Sequence, residues 1–196
     1  MMGQRVSTST LSINPNTRHL ETVTSELPEL GENEVRIQVL FNAISRNDVL
    51  IVEGKHGEDY WGVGAVGRVV AVGKAVGSRK VGEVVGVYHA SINRGAFKTG
   101  FTSHIQVDAS QVIFLPTSIP LEQASSLLTE GIVAFNALQQ IPKEVPIAVV
   151  GTNSQAYLTV QFAKKVFKHH VTIFSLGSVE GVAESFGADA VDILTP

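Results

Sequence analysis

The chain reads as an α/β protein in which a β-rich, antiparallel N-terminal part is followed by parallel β-α-β units. Three features carry that reading. The texture changes near residue 116, from alternating strand-like runs to segments whose apolar residues recur three and four positions apart. Eleven of the 18 glycines fall between Gly54 and Gly100, interleaved with valine-rich runs, as short strands turning tightly in a small barrel or curled sheet require. Beyond Val145, short apolar runs alternate with helical spacing, the order that builds a parallel sheet.

The elements follow in sequence. Arg5–Asn14, His19–Leu27 and Glu34–Ile44 mix β-branched with polar residues, and Asn14-Pro15-Asn16 and Gly31-Glu32-Asn33 supply the turns between them. Arg68–Val72 and Val81–Val87 continue the strands. Pro120 suits the first turn of a helix, and Leu121–Leu128 followed by Gly131–Ile141 predicts two helices with a break near Glu130-Gly131. Val145–Val150, Ser154–Phe167, Val171–Phe174, Val179–Phe186 and Ala190–Leu194 then read β-α-β-α-β. The expected domains are residues 1–117 and 118–196.

Composition excludes several functions. The 196 residues carry 15 Lys+Arg against 18 Asp+Glu with no basic run, so electrostatics give no reason to expect nucleic acid or an anionic membrane as partner. Without cysteine there is no disulfide, no thiolate nucleophile and no cysteine-ligated metal. No apolar run approaches the roughly 18 residues that span a bilayer, and the N-terminus lacks the basic-then-apolar order of a signal peptide. The expected location is cytoplasmic.

Two glycine-containing segments compete as nucleotide sites. Gly62-Val63-Gly64-Ala65-Val66-Gly67 is a literal G-x-G-x-x-G, yet it runs into the strand-like Arg68-Val69-Val70-Ala71-Val72. A phosphate-binding fingerprint must instead follow a strand and open a helix, so these glycines read as barrel turns. The right context lies at Val150-Gly151-Thr152-Asn153-Ser154-Gln155-Ala156-Tyr157. Here Gly151 makes the tight turn, Ser154 is expected where a second glycine would let backbone approach a pyrophosphate, and Tyr157 where a third would allow close helix–strand packing. Thr152, Asn153 and Ser154 offer hydroxyl or amide donors beside the helix N-terminus. After the second strand, where an acidic residue would bind an NAD ribose, stands Ser175-Leu176-Gly177-Ser178, which leans toward NADP.

Other candidates are weaker. His19, His56, His89, His104, His169 and His170 form no HExxH and no carboxylate cluster, so no metal site is expected. Adjacent His169 and His170 should face opposite ways. Asp48 reads as the cap of the following turn or as a group at a cleft, and Tyr60-Trp61 as a pocket wall or as packing. Phe135 is a further candidate wall for small-molecule binding. Lys164, Lys165 and Lys168 read as a solvated helix face.

The order of these features resembles the medium-chain dehydrogenases/reductases, which join a GroES-like β-barrel to a Rossmann domain. The resemblance rests on Glu34-Val35-Arg36-Ile37-Gln38-Val39, Asn47-Asp48-Val49-Leu50-Ile51, Gly62–Gly73 with Gly82-Glu83-Val84-Val85, Gly95-Ala96-Phe97 and Gly187-Ala188-Asp189. Asn47–Gly54 is most similar to polyketide enoyl reductases and zinc-less quinone reductases. Zinc-dependent members of the family place a Cys where this chain has Ser45, a His-Glu pair at Val63-Gly64 and a second Cys at Thr129, so the resemblance implies no zinc. It further implies NADP(H) as cofactor, bound by Gly151, Thr152, Asn153, Ser154, Gln155 and Ser175. Ser45, where zinc-less reductases often carry Asn, would lie beside the nicotinamide; Val133 replaces a Thr near the cofactor. The implied activity is reduction of an activated alkene or carbonyl in a small-molecule substrate, and no residue is identified as catalytic proton donor. The alternative is a catalytically inactive relative acting as a binding or scaffold partner, or a gene fragment. The family's Rossmann sheet normally continues further, so the chain reads as truncated within that domain. A homo-oligomer or partner chain is expected to cover the open edge of Val145–Val150.

Overall fold

In the computed structural model, residues 6–56, 61–87, 99–177, 179 and 181–194 are described. Arg5, Tyr60, His89, Gly95-Ala96-Phe97 and Ser178, which figure in the sequence analysis, lie outside them. The chain forms two compact units, residues 1–129 and 130–196.

In the first unit, β1 (Ser7–Ile13) and β2 (Leu20–Glu26) make an antiparallel hairpin. A five-stranded antiparallel sheet runs in the order β6-β3-β4-β5-β7, from β3 (Glu34–Phe41), β4 (Val66–Val72), β5 (Val84–Val87), β6 (His104–Asp108) and β7 (Val112–Phe114). Its two outermost strands, β6 and β7, are joined by the single 3-10 turn Ala109–Gln111, so the sheet curls back on itself. Alternation along the strands sends Val35 and Ile37, Val69, Val85 and Val87, and Ile105 and Val107 into one core. Between Val35 and Ile37 in the chain, the buried Arg36 donates to the Pro28 carbonyl at 2.8 Å and to Gln106 Oε1 at 3.0 Å. Such partners are what a buried guanidinium needs.

The first unit also holds a helix that the strand-and-turn reading of its sequence missed. It is α1 (Arg46–Val52), and Ser45-Arg46-Asn47-Asp48 is its capping box. A Ser followed three positions later by an acid, ahead of Val49-Leu50-Ile51, was the available signal. The predicted pair of helices is present as α2 (Leu121–Ser126) and α3 (Ile132–Gln139), and the break between them is a π-helical turn, Leu127–Gly131. Within the first unit α2 packs on β3 and β4.

The second unit is a parallel sheet in the order β10-β9-β8, from β8 (Ile147–Val150), β9 (Val171–Ser175) and β10 (Ala190–Ile193). Helix α4 (Ser154–Lys165) crosses from β8 to β9 and α5 (Val182–Phe186) from β9 to β10. Ala156, Val160 and Ala163, four and three residues apart, form the buried stripe of α4 and meet Val149, Val171, Ile173 and Leu138. Helix α4 stops at Lys165, two residues before the predicted Phe167; Lys168 beyond it has φ 64°. Among the described residues β8 is an outer strand, with Val150 73% exposed. No helix among the described residues is long and apolar enough to cross a membrane.

Candidate functional site

The loop between β8 and α4 has the strand-then-helix context of a phosphate site. Gly151 follows β8 with φ +116°, a conformation side chains rarely adopt, and nothing lies within 4 Å of where a Cβ would stand. The turn therefore leaves open space where β8 ends. Asn153 is the N-cap of α4, and its Oδ1 accepts the Ala156 N–H at 2.9 Å. Thr152, Asn153, Ser154 and Gln155 are exposed. As the first two helical residues, Ser154 and Gln155 have N–H groups with no intrahelical acceptor, at the positive end of the α4 dipole.

The spacing of the fingerprint itself corrects the register expected above. Counted from Gly151, the fingerprint's second and third glycine positions are Asn153 and Ala156, one residue before Ser154 and Tyr157. Ala156 is buried in the core of the second unit, as close helix–strand packing requires. Tyr157 does not push the helix off the sheet, because it turns sideways onto α5, its ring 4.9 Å from that of Phe186. Only Asn153 thus departs from a small residue at a fingerprint position.

Ser175 ends β9, paired with the end of β8, so it belongs to the same end of the sheet as Gly151. The Gly151 N–H donates to the Phe174 carbonyl at 2.9 Å and ties the two together. The Ser175 side chain is nevertheless 2% exposed; its hydroxyl donates to the Gly177 carbonyl and accepts the Gly177 N–H at 3.4 Å.

Ser45 lies in the first unit. Its Oγ donates to Asp48 Oδ2 at 2.7 Å, and its N–H donates to the same oxygen at 2.6 Å. The other oxygen of Asp48 accepts the Gly62 N–H at 2.7 Å. Asp48 does not cap a following turn: it is the third residue of α1, completes the capping box begun by Ser45, and is buried and fastened to the residue before Val63. Gly64, at φ +86°, sits so close to the turn after α2 that a Cβ there would meet Ser125 O at 2.5 Å and Thr129 Cγ2 at 2.8 Å. The Thr129 hydroxyl donates to Ser126 O at 3.2 Å. Ser45 and Thr129 thus spend their hydroxyl protons inside the fold, and Val63 and Gly64 offer no donor atom. These residues do not fit a zinc ion. No group of three His, Asp or Glu side chains able to hold a metal occurs among the described residues.

The remaining candidates are packing and ion pairs. Trp61 is buried, edge-on to Phe101 at 5.1 Å, and Phe135 packs on Phe162 and Phe167 at 5.6 and 5.3 Å. His169 is buried with Nδ1 2.9 Å from the Val145 carbonyl, whereas His170 is exposed. Val133 is 49% exposed on the first turn of α3. Lys164 departs from the solvated-face reading: it ion-pairs with Asp189, whose second carboxylate oxygen accepts the Val171 N–H at 2.8 Å. Asp189 joins α4, β9 and the start of β10. Lys164 and the Val171 N–H hold its carboxyl below the usual carboxylate range.

Residues 31–117 match the alcohol dehydrogenase GroES-like domain. The chain is 28% identical to a probable cinnamyl alcohol dehydrogenase of Pinus taeda, covering 88% of this chain and 58% of that protein. The two-unit fold is shared with solved structures. The CAD from Helicobacter pylori complexed with NADP(H) matches at TM-score 0.84 and 21% identity, over 96% of this chain and 65% of that one. A cinnamyl alcohol dehydrogenase from Sorghum bicolor matches at TM-score 0.85 and 23% identity, over 96% of this chain and 64% of that one. The fold is that of these enzymes, a GroES-like part followed by a Rossmann-like parallel sheet. The chain spans 58% of the length of the Pinus taeda protein and 65% of the Helicobacter pylori one. It has the GroES-like and Rossmann-like parts anticipated from sequence.

Proposed function

We propose that this chain is a zinc-independent, NADP(H)-dependent reductase of the quinone and enoyl reductase type, acting on an activated alkene or carbonyl. The observation that carries the zinc-independent reading is the engagement of Ser45 with Asp48, together with the absence of room at Gly64. A first-row metal needs lone pairs from deprotonated or neutral ligands aimed at one point. Here Val63 and Gly64 bring no side-chain ligand atom, and Ser45 and Thr129 bring only neutral hydroxyls where a zinc site uses thiolate, imidazole or carboxylate.

The nucleotide reading rests on the second unit. Gly151 leaves room at the end of β8, and the Ser154 and Gln155 N–H groups with Thr152 and Asn153 would hold the phosphates, favoured by the helix dipole. Ser175 would stand beside the ribose, uncharged and so tolerant of a 2′-phosphate. When bound, the nicotinamide supplies a hydride. A second reading, a catalytically inactive binding or scaffold protein, is favoured by one observation: the Ser175 hydroxyl is already satisfied by Gly177.

Two measurements on the purified chain test the proposal: titration with NADPH and NADH by fluorescence or calorimetry, and zinc content by elemental analysis after purification without chelator. The expected result is NADPH binding with Kd below about 1 mM and zinc far below one equivalent, followed by turnover of enones or quinones. One equivalent of zinc overturns the metal-free reading. A folded chain that binds neither nucleotide overturns the reductase reading in favour of the inactive one.

A further inference from the structure

We infer that the Asn153 side chain is a built-in competitor for the dinucleotide phosphate and sets this chain's affinity for the cofactor; the inference rests on the nucleotide reading above. Asn153 stands at the second glycine position of the fingerprint, where a bare backbone lets a pyrophosphate approach. Its Oδ1 accepts the Ala156 N–H at 2.9 Å, so a side-chain oxygen takes one of the few donors that the first turn of α4 could offer an anion. The rest of the loop is made for close approach. Gly151 is left-handed with open space around it, and Ala156 is small and buried against the sheet. One side chain therefore separates this loop from a complete phosphate cradle.

The chemistry of substitutions at this position separates affinity from helix stability. Asn153→Gly keeps a residue tolerated at an N-cap, so the helix loses little. It also releases the Ala156 N–H and removes the Cβ. Asn153→Asp keeps the cap and suits the helix dipole, while placing a negative charge where the phosphate must come. A residue that acts only as a cap would leave nucleotide affinity equal in the wild type and the Gly variant, while the Asp variant tests whether the phosphate comes to this position at all.

The test is a calorimetric titration of the wild type, N153G and N153D with NADPH, with thermal unfolding of each followed in parallel. N153G should bind about tenfold more tightly, the scale of exchanging a neutral acceptor for a charged one on the freed N–H. N153D should bind more weakly than wild type while melting at the same temperature or higher. If N153G binds no more tightly than a wild type that does bind, the competitor role is wrong and the nucleotide reading stands. If none of the three folded proteins binds up to about 10 mM NADPH, the nucleotide reading fails and this inference with it.

Discussion

The carboxylate of Asp48 fastens the N-terminus of α1 to the backbone of Gly62, accepting from Ser45 on one oxygen and from the Gly62 N–H, at 2.7 Å, on the other. One buried side chain thus holds together two segments fourteen residues apart in sequence. Each of these contacts is a hydrogen bond to the one carboxylate.

Asp48→Ala should therefore destabilise the first unit by about 2–4 kcal/mol, since it removes a helix cap and leaves the buried Gly62 N–H without an acceptor. Asp48→Asn should cost less but remain destabilising, because its amide nitrogen faces N–H donors. Urea unfolding followed by Trp61 fluorescence reads both. An Asp48→Ala protein as stable as wild type would show that the network contributes nothing.

Gly64 gives a second test. Gly64→Ala puts a Cβ against the Ser125 carbonyl in a left-handed conformation and should cost roughly 2–4 kcal/mol, strain and overlap together. Gly77→Ala, where a Cβ meets nothing within 4 Å, is the matched control and should change stability by less than about 0.5 kcal/mol. Equal unfolding midpoints for the two variants would contradict the packing described around Thr129.

Two groups predict a stepped loss of stability toward acid. Burial, and then the nearby Arg36 guanidinium, hold His104 below its ordinary 6.5. The folded state resists protonation there, so stability is full above pH 6.5 and declines as the pH falls below it. Asp189 is held below its ordinary 3.8 by Lys164 first and the Val171 N–H next, so its contribution is full above that pH and is lost as the pH drops through the lower folded value. His104→Gln should flatten the upper step and Asp189→Asn the lower one, in unfolding midpoints measured from pH 8 to pH 2.5. A single step unaffected by either change would rule out both assignments.

Much of the fold was legible in the chain because it arises from patterns that act over a few residues. The order β8-α4-β9-α5-β10, the break between α2 and α3 and the rejection of Gly62–Gly67 as a phosphate loop all rest on periodicity and on whether a strand or a helix comes after the glycines. Helix α1 was equally legible in Ser45-Arg46-Asn47-Asp48, yet a seven-residue helix amid strands is a weak periodic signal. The site was harder. The spacing counted from Gly151 sets the fingerprint's register at Asn153 and Ala156, and the burial of Ala156 and the sideways turn of Tyr157 onto Phe186 agree with it.

The sequence by itself determined the two-part α/β architecture, the lack of cysteine ligands and the placing of a glycine turn between a strand and a helix, since each depends on residue type and local spacing. Tertiary structure alone decided that Asp48 reaches Gly62, that Gly64 is walled by Ser125 and Thr129, and that Lys164 meets Asp189. Those are contacts between segments distant in the chain. Whether a hydroxyl or carboxylate is free to do chemistry depends on which of them it meets.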